Sequence, residues 1–423
     1  MLVVVCGALV GSEARPDPDP VAGPEPIFGK KGKKGRGRCC GGGGGFYSRR
    51  GGYERCLHPP FGLFAGLVLK KTMSDENVQH LPEEQQQELK SKFLGLRQGL
   101  VAVGTCRHLL PPHCVAFTRK YREFRFCESD VVIATFPRSG TTWTQEIVWT
   151  MRNGLDFNAA SNVSLDFRSP FLEFDSLHPL HKDLSENLVT SFLSRHPNED
   201  PRLGGVFLQL AELASTPRTI KTHLPFSLLP DLLGTCKVVY VARNPRDVCV
   251  SYYHHQKSLK VAEFIGDFPD FVDLWCRDLC LQAPYWDHLK EAWERRQHPN
   301  FLFLFYEDMK ENLMKELKRL DAFLGTGLTE DQLRQVAEHT GISHMKNRSS
   351  VNPGSSSYSE QALKEGRRDF IRKGTTGDWT NYFNPELEAK FEVWMKKGGE
   401  VAEEIPFKYQ IQQTETTELV ECK

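Results

Sequence analysis

From about residue 76 onward, short apolar runs rich in β-branched residues alternate with stretches of 3.6-residue periodicity. The run DVVIATF over 130–136 predicts a strand buried on both faces. A turn, PRSGTT, follows it. Trp143, Ile147 and Met151 then recur at helical spacing over 142–151, and Asn153-Gly154 predicts the stop. Further strands are predicted over 218–222, 236–242 and 301–305. Helices are predicted over 245–257, where Pro245 suits a first helical position, and over 268–281, 285–296, 307–323 and 329–339. Such alternation predicts an α/β fold, a single domain with a central parallel sheet flanked by helices. Ligands of such sheets bind at the C-terminal strand ends.

The first 75 residues have a different texture. They hold 16 of the 34 glycines and carry a charge balance of +6, against −6 for the rest. Glycine at that density loses more backbone entropy than so little apolar surface can offset. The expected division is a low-complexity, disordered extension over 1–75, with 11–55 its most extreme part, and a folded domain over 76–423. Residues 2–10, LVVVCGALV, look like the core of a signal peptide but lack a preceding charge. GKKGKKGRGR and SRRGG would suit a nucleic-acid contact. A solvated tail is the preferred reading, and deleting 1–70 is expected to leave ligand affinity unchanged.

Charge and composition remove several classes. Lys+Arg and Asp+Glu are 54 each, which excludes a polybasic nucleic-acid binder acting through the whole surface. No apolar run approaches the ~20 residues of a spanning helix, so no membrane partner is expected. The 12 cysteines show no C-x-x-C pair, no metal is expected, and a reduced, cytoplasmic compartment fits best. In such a compartment the sequons at Asn162 and Asn347 stay unused.

The candidate chemistry starts at TFPRSGTTW, 135–143. Gly140 lets the backbone curl so that successive N–H groups converge on an anion. The helix N-terminus behind it adds partial positive charge. Thr141 and Thr142 bring hydroxyls, and Arg138 a fixed cation. This is no Walker A motif, because G-x-x-x-x-G-K-[ST] is absent. An ordinary strand-to-helix turn would explain the loop alone.

Four more segments follow in order: KTHLP (221–225), VYVARNPRDVCVSYY (239–253), FYED (305–308) and RKGTTGDW (372–379). Together with TFPRSGTTW they closely resemble the cytosolic sulfotransferase family, over roughly 76–410. The family transfers a sulfuryl group from 3′-phosphoadenosine 5′-phosphosulfate (PAPS). The resemblance implies that Arg138, Ser139, Gly140, Thr141 and Thr142 cradle the 5′-phosphosulfate. It implies that Arg243 and Ser251 hold the 3′-phosphate, with Arg372, Lys373 and Gly374 as a second clamp. Trp143, Tyr306 and Thr340 match the adenine contacts. His223 matches the catalytic base, for which a neutral imidazole is suited. Lys221, two residues earlier on the strand, would stabilise developing charge.

Two departures matter. The family has lysine where this chain has Arg138, which keeps the charge but cannot give up a proton. The family's dimer motif, K-x-x-x-T-V-x-x-x-E, is degraded: the matching positions are Thr380, Asn384, Pro385 and Ala389. A monomer and a different dimer remain equally open. Phe171, Phe174, Phe226 and Tyr253 are candidates for a pocket that takes a small hydroxyl-bearing acceptor, be it a phenol, a steroid or another alcohol. The expected function is therefore PAPS-dependent sulfation of a small apolar alcohol or phenol. The alternative is a regulatory protein that binds the nucleotide but turns over weakly.

Overall fold

A computed structural model describes residues 78–177, 186–352, 357–366 and 370–410. The expectations for 1–75 fall outside the described residues. The main sheet is parallel and ordered β5-β4-β6-β7, built from β4 (Val131–Ala134), β5 (Thr219–Thr222), β6 (Lys237–Ala242) and β7 (Phe301–Phe305). The helices that cover it are α1 (Thr141–Arg152), α2 (Pro245–Ser258), α3 (Phe268–Cys276), α4 (Tyr285–Glu294), α5 (Leu313–Leu324), α6 (Glu330–His339) and α7 (Pro385–Met395).

Strand parity decides which layer each side chain enters. Val132, Ala134, Val238, Tyr240, Ala242, Phe301 and Phe303 pack toward one face, where α2, α3, α4 and α7 bring Val248, Phe271, Leu289 and Phe391. Val131, Ile133, Val239, Val241 and Leu304 pack toward the other, against Ile147, Leu320 and Val336 of α1, α5 and α6. Both faces are dry, which is why these strands read as continuous apolar runs rather than as alternating ones. Cutting Ile133 back to Ala would cost about 2–5 kcal/mol.

Local chemistry sets the helix ends. Asn244 caps α2, accepting from Asp247 N at 2.9 Å, with Pro245 at the first helical position. Thr329 caps α6 through a reciprocal capping box with Gln332. The helix expected over 307–323 is broken instead, because Asn312 adopts an extended backbone and caps α5 by accepting from Lys315 N at 3.0 Å. The one expected over 268–281 stops at Cys276, ahead of Asp278 at φ +55°. Asp130 and Arg218, assigned above to strands, each lie one residue before theirs. They form a buried ion pair across the start of the sheet, at 2.9 Å from Arg218 Nε.

The sequence pattern missed a second sheet. β1 (Val78–His80), β2 (Val101–Val103) and β3 (His108–Leu110) form an antiparallel meander. Three-residue strands are too short to show a period.

Candidate active site

Every strand of the main sheet delivers its first residue beyond the C-terminal end to one region. These are Thr135 after β4, His223 after β5, Arg243 after β6 and Tyr306 after β7. A cavity of about 300 Å³ opens there, and His223, Arg243 and Tyr306 line it.

The loop between β4 and α1 forms one wall. Gly140 has φ +106°, and a Cβ on it would come within 2.7 Å of the Tyr306 ring, so only glycine fits without displacing that ring. Thr141 shares a 2.7 Å hydroxyl hydrogen bond with Thr135. Thr142 and Trp143 also face the cavity, whereas Ser139 is buried behind it with its Oγ unpartnered. Arg138, itself at φ +69°, donates from Nε to Ser251 Oγ at 3.2 Å and from a terminal nitrogen to Phe370 O at 2.9 Å. Burial, then the charges of Arg243 and Arg372, lower its pKa to about 10.

The second wall is cationic. Arg243 stacks on the Tyr306 ring at 4.4 Å and donates to Thr375 O at 2.8 Å, while its Nε has no partner. Arg372 and Lys373 pair with Asp378 at 2.6 and 2.7 Å. Against the opposing effect of burial, these cations hold the Asp378 carboxyl down at about 2. Gly374 lies at φ +65°, and a side chain there would run into Ile342. Thr340 is buried on the same cavity wall. Buried donors are normally satisfied. The unpartnered Arg243 Nε and Trp143 Nε1, set among these guanidinium groups, fit a highly anionic, phosphorylated nucleotide.

The centre between the walls is organised around His223. Its Nδ1 lies 2.8 Å from Thr135 O, so that nitrogen carries the proton and donates it, and Nε2 keeps the lone pair. Burial, then the Lys221 charge, hold the imidazole well below its usual pKa, hence neutral. His288 further fixes the backbone, its Nε2 donating to His223 O at 3.1 Å. The Lys221 ammonium sits 3.9 Å from the centre of the Phe171 ring, whose edge in turn meets the imidazole at 5.3 Å. Lysine and histidine thus share one wall, as their spacing predicts.

Glu173 was not singled out from the sequence. Its fully buried carboxylate accepts from the Thr222 hydroxyl at 2.9 Å and from the backbone N–H of His223. Burial pushes its pKa up. Lys310 and His255 also line the cavity, the lysine lying 5.6 Å above the Trp143 ring. Their signals were spacings, Lys310 one turn beyond Tyr306 and His255 one turn beyond Ser251.

The aromatic candidates divide. Phe171 and Phe174 line the cavity. Phe226 does not: it packs against Tyr240 and Phe301 in the core, because its segment is a 3-10 turn directed back under the sheet. Tyr253 is also a packing residue, set among Phe264, Phe268 and Phe271. It lies two residues after Ser251 on α2, which turns its side chain about 200° from that of Ser251, away from the wall. Asn384 and Pro385, positions of the degraded dimer motif, start α7 as its cap and first residue. Among the described residues no cluster of three metal-ligating side chains occurs, and no helix is long and apolar enough to cross a membrane.

Comparison with known proteins agrees with this geometry. A family model described as a sulfotransferase domain matches residues 128–406. Luciferin sulfotransferase of Photinus pyralis is 34% identical over 303 residues, covering 70% of this chain and 79% of that protein. Human sulfotransferase 1E1 is 35% identical over 271 residues, covering 64% and 83%. A crystal structure of retinol dehydratase with androsterone and the inactive cofactor PAP superimposes with a TM-score of 0.65 at 30% identity, covering 78% of this chain and 97% of that one.

Proposed function

The chain belongs to the cytosolic sulfotransferase family and is a PAPS-dependent enzyme, and from that premise we propose that it sulfates the hydroxyl of a small, largely apolar acceptor with His223 as general base. The observation that carries this reading is the His223–Thr135 hydrogen bond, which leaves Nε2 basic beside Lys221 and next to the anion loop. PAPS supplies the sulfuryl group: its bond to the 5′-phosphate oxygen breaks as the acceptor oxygen bonds sulfur, and the electron pair leaves with PAP. His223 Nε2 takes the acceptor's hydroxyl proton. Lys221 balances charge on the transferring group. The loop 138–142 holds the 5′ end, and Arg243, Ser251, Arg372, Lys373 and Gly374 hold the 3′-phosphate. Phe171 and Phe174 give the acceptor an apolar contact. A cytoplasmic setting is supported by the free thiols of Cys106, Cys127, Cys236, Cys249, Cys276 and Cys280.

One observation favours the weakly catalytic alternative. Two of the Arg138 donors, Nε and one terminal nitrogen, are committed to Ser251 Oγ and Phe370 O. Calorimetry with PAP, followed by radiolabelled sulfate transfer to phenols and hydroxysteroids, separates the two. Binding with transfer supports catalysis, and binding with no transfer to any acceptor supports the alternative.

A further inference from the structure

The cavity wall carries six cationic side chains, Arg138, Lys221, Arg243, Lys310, Arg372 and Lys373, and, among the described residues, one carboxylate, Asp166. Five of the cations border the nucleotide half, with Ser251, Tyr306, Trp143 or Asp378 as neighbours. Lys221 lies in the other half, and its charge and that of Asp166 act on one another.

Asp166 sits on the short helix Leu165–Arg168, with its backbone N–H donating to Ser164 Oγ. It is exposed on the cavity wall. Its carboxylate accepts no hydrogen bond and makes no ion pair among the described residues. Neither charged neighbour hydrogen-bonds it. Arg168 is turned to Glu146, Val163 O and Ala160 O, and the Lys221 ammonium rests on the Phe171 ring. A carboxylate on the cavity wall that receives no donor from the protein depends on water, and a ligand that displaces this water has to supply the donor in its place. Once the nucleotide's phosphates offset the five cations of the other half and Lys221 balances the transferring group, Asp166 is, among the described residues, the one lining carboxylate left to face the acceptor.

We propose that the physiological acceptor carries a protonated amine in addition to the hydroxyl that is sulfated, and that Asp166 binds this amine. The inference rests on the sulfotransferase reading and narrows its acceptor class to hydroxylated amines.

Three phenols of similar size test it: tyramine, the neutral donor 4-(2-hydroxyethyl)phenol and the apolar 4-propylphenol. Transfer to each is measured with saturating PAPS for the wild type and Asp166→Asn, together with a neutral hydroxysteroid. PAP affinity by calorimetry checks that the variant is folded. Asp166→Asn should lower kcat/KM for tyramine, mainly through KM, by roughly tenfold or more beyond its effect on 4-propylphenol. An equal loss for all three phenols would mean that Asp166 only supports Lys221, and would overturn the proposal. So would a larger loss for 4-(2-hydroxyethyl)phenol than for tyramine. A wild type that sulfates the hydroxysteroid but not tyramine overturns this proposal alone. One that binds PAP and sulfates nothing overturns the parent reading as well.

Discussion

Nδ1 of His223 lies 2.8 Å from the carbonyl oxygen of Thr135, the residue that follows β4 and begins the anion-binding loop. The base and the loop that holds the donor therefore share one residue. Movement of either would disturb the other, because β4 and β5 are also joined there by Thr135 N to Thr222 O at 3.3 Å.

His223→Ala should abolish sulfate transfer while leaving PAP affinity within a few-fold of wild type, since the base acts only as the acceptor's proton leaves. Paired calorimetry and radiolabel assays check this. Intact turnover with lost PAP binding would remove the assignment.

Arg243→Ala should weaken binding of a 3′-phosphorylated nucleotide by about 1.5–3 kcal/mol, the scale of a charge-assisted hydrogen bond. A nucleotide lacking that phosphate should bind almost as before. Equal weakening of both would mean that Arg243 serves the Thr375 carbonyl and the Tyr306 ring instead.

Gly140→Ala introduces a side chain at φ +106° and presses it into the Tyr306 ring. The backbone strain alone is of order 1–3 kcal/mol. Both the thermal midpoint and PAP affinity should fall. A variant with both unchanged would show that the loop tolerates a Cβ and that the cradle is not set by this glycine.

Glu307 is fully buried, accepts from Asn244 N at 2.9 Å through one oxygen and leaves the other unpartnered. Burial pushes its pKa up from 4.5 to about 7. The folded state thus binds more protons than the unfolded state between those values, and this group's contribution to stability is lost as pH rises through about 7. Relative to wild type, Glu307→Gln should gain stability on going from pH 5.5 to 8, by up to about 2 kcal/mol. Thermal midpoints of both proteins at the two pH values test the sign. A difference that is independent of pH would exclude the shift.

Much of the fold was legible along the chain because both faces of the sheet are buried, so β4, β6 and β7 stand out as apolar runs. The Pro245 start and the Asn153-Gly154 stop were equally local, each depending on backbone geometry within a turn. The site was legible as a set of motifs at strand ends, and the cavity gathers all of them except Ser139. What the chain alone could not reveal depends on contacts between distant segments. Arg138 reads as a cation for the transferring group, yet its fork reaches Ser251 and Phe370, more than a hundred residues away. Phe226 and Phe171 are alike as residues, and only the path of the chain sends one into the core and the other to the cavity. Asp166 and Glu173 carry no signal in their own neighbourhood. Asp166 matters because folding sets it on the cavity wall near Lys221 without a partner, and Glu173 because folding sets it beneath His223. Propensity and periodicity are local properties, so they determined the elements and their order. The partners of charged side chains follow from where the elements meet, and that the tertiary structure decided.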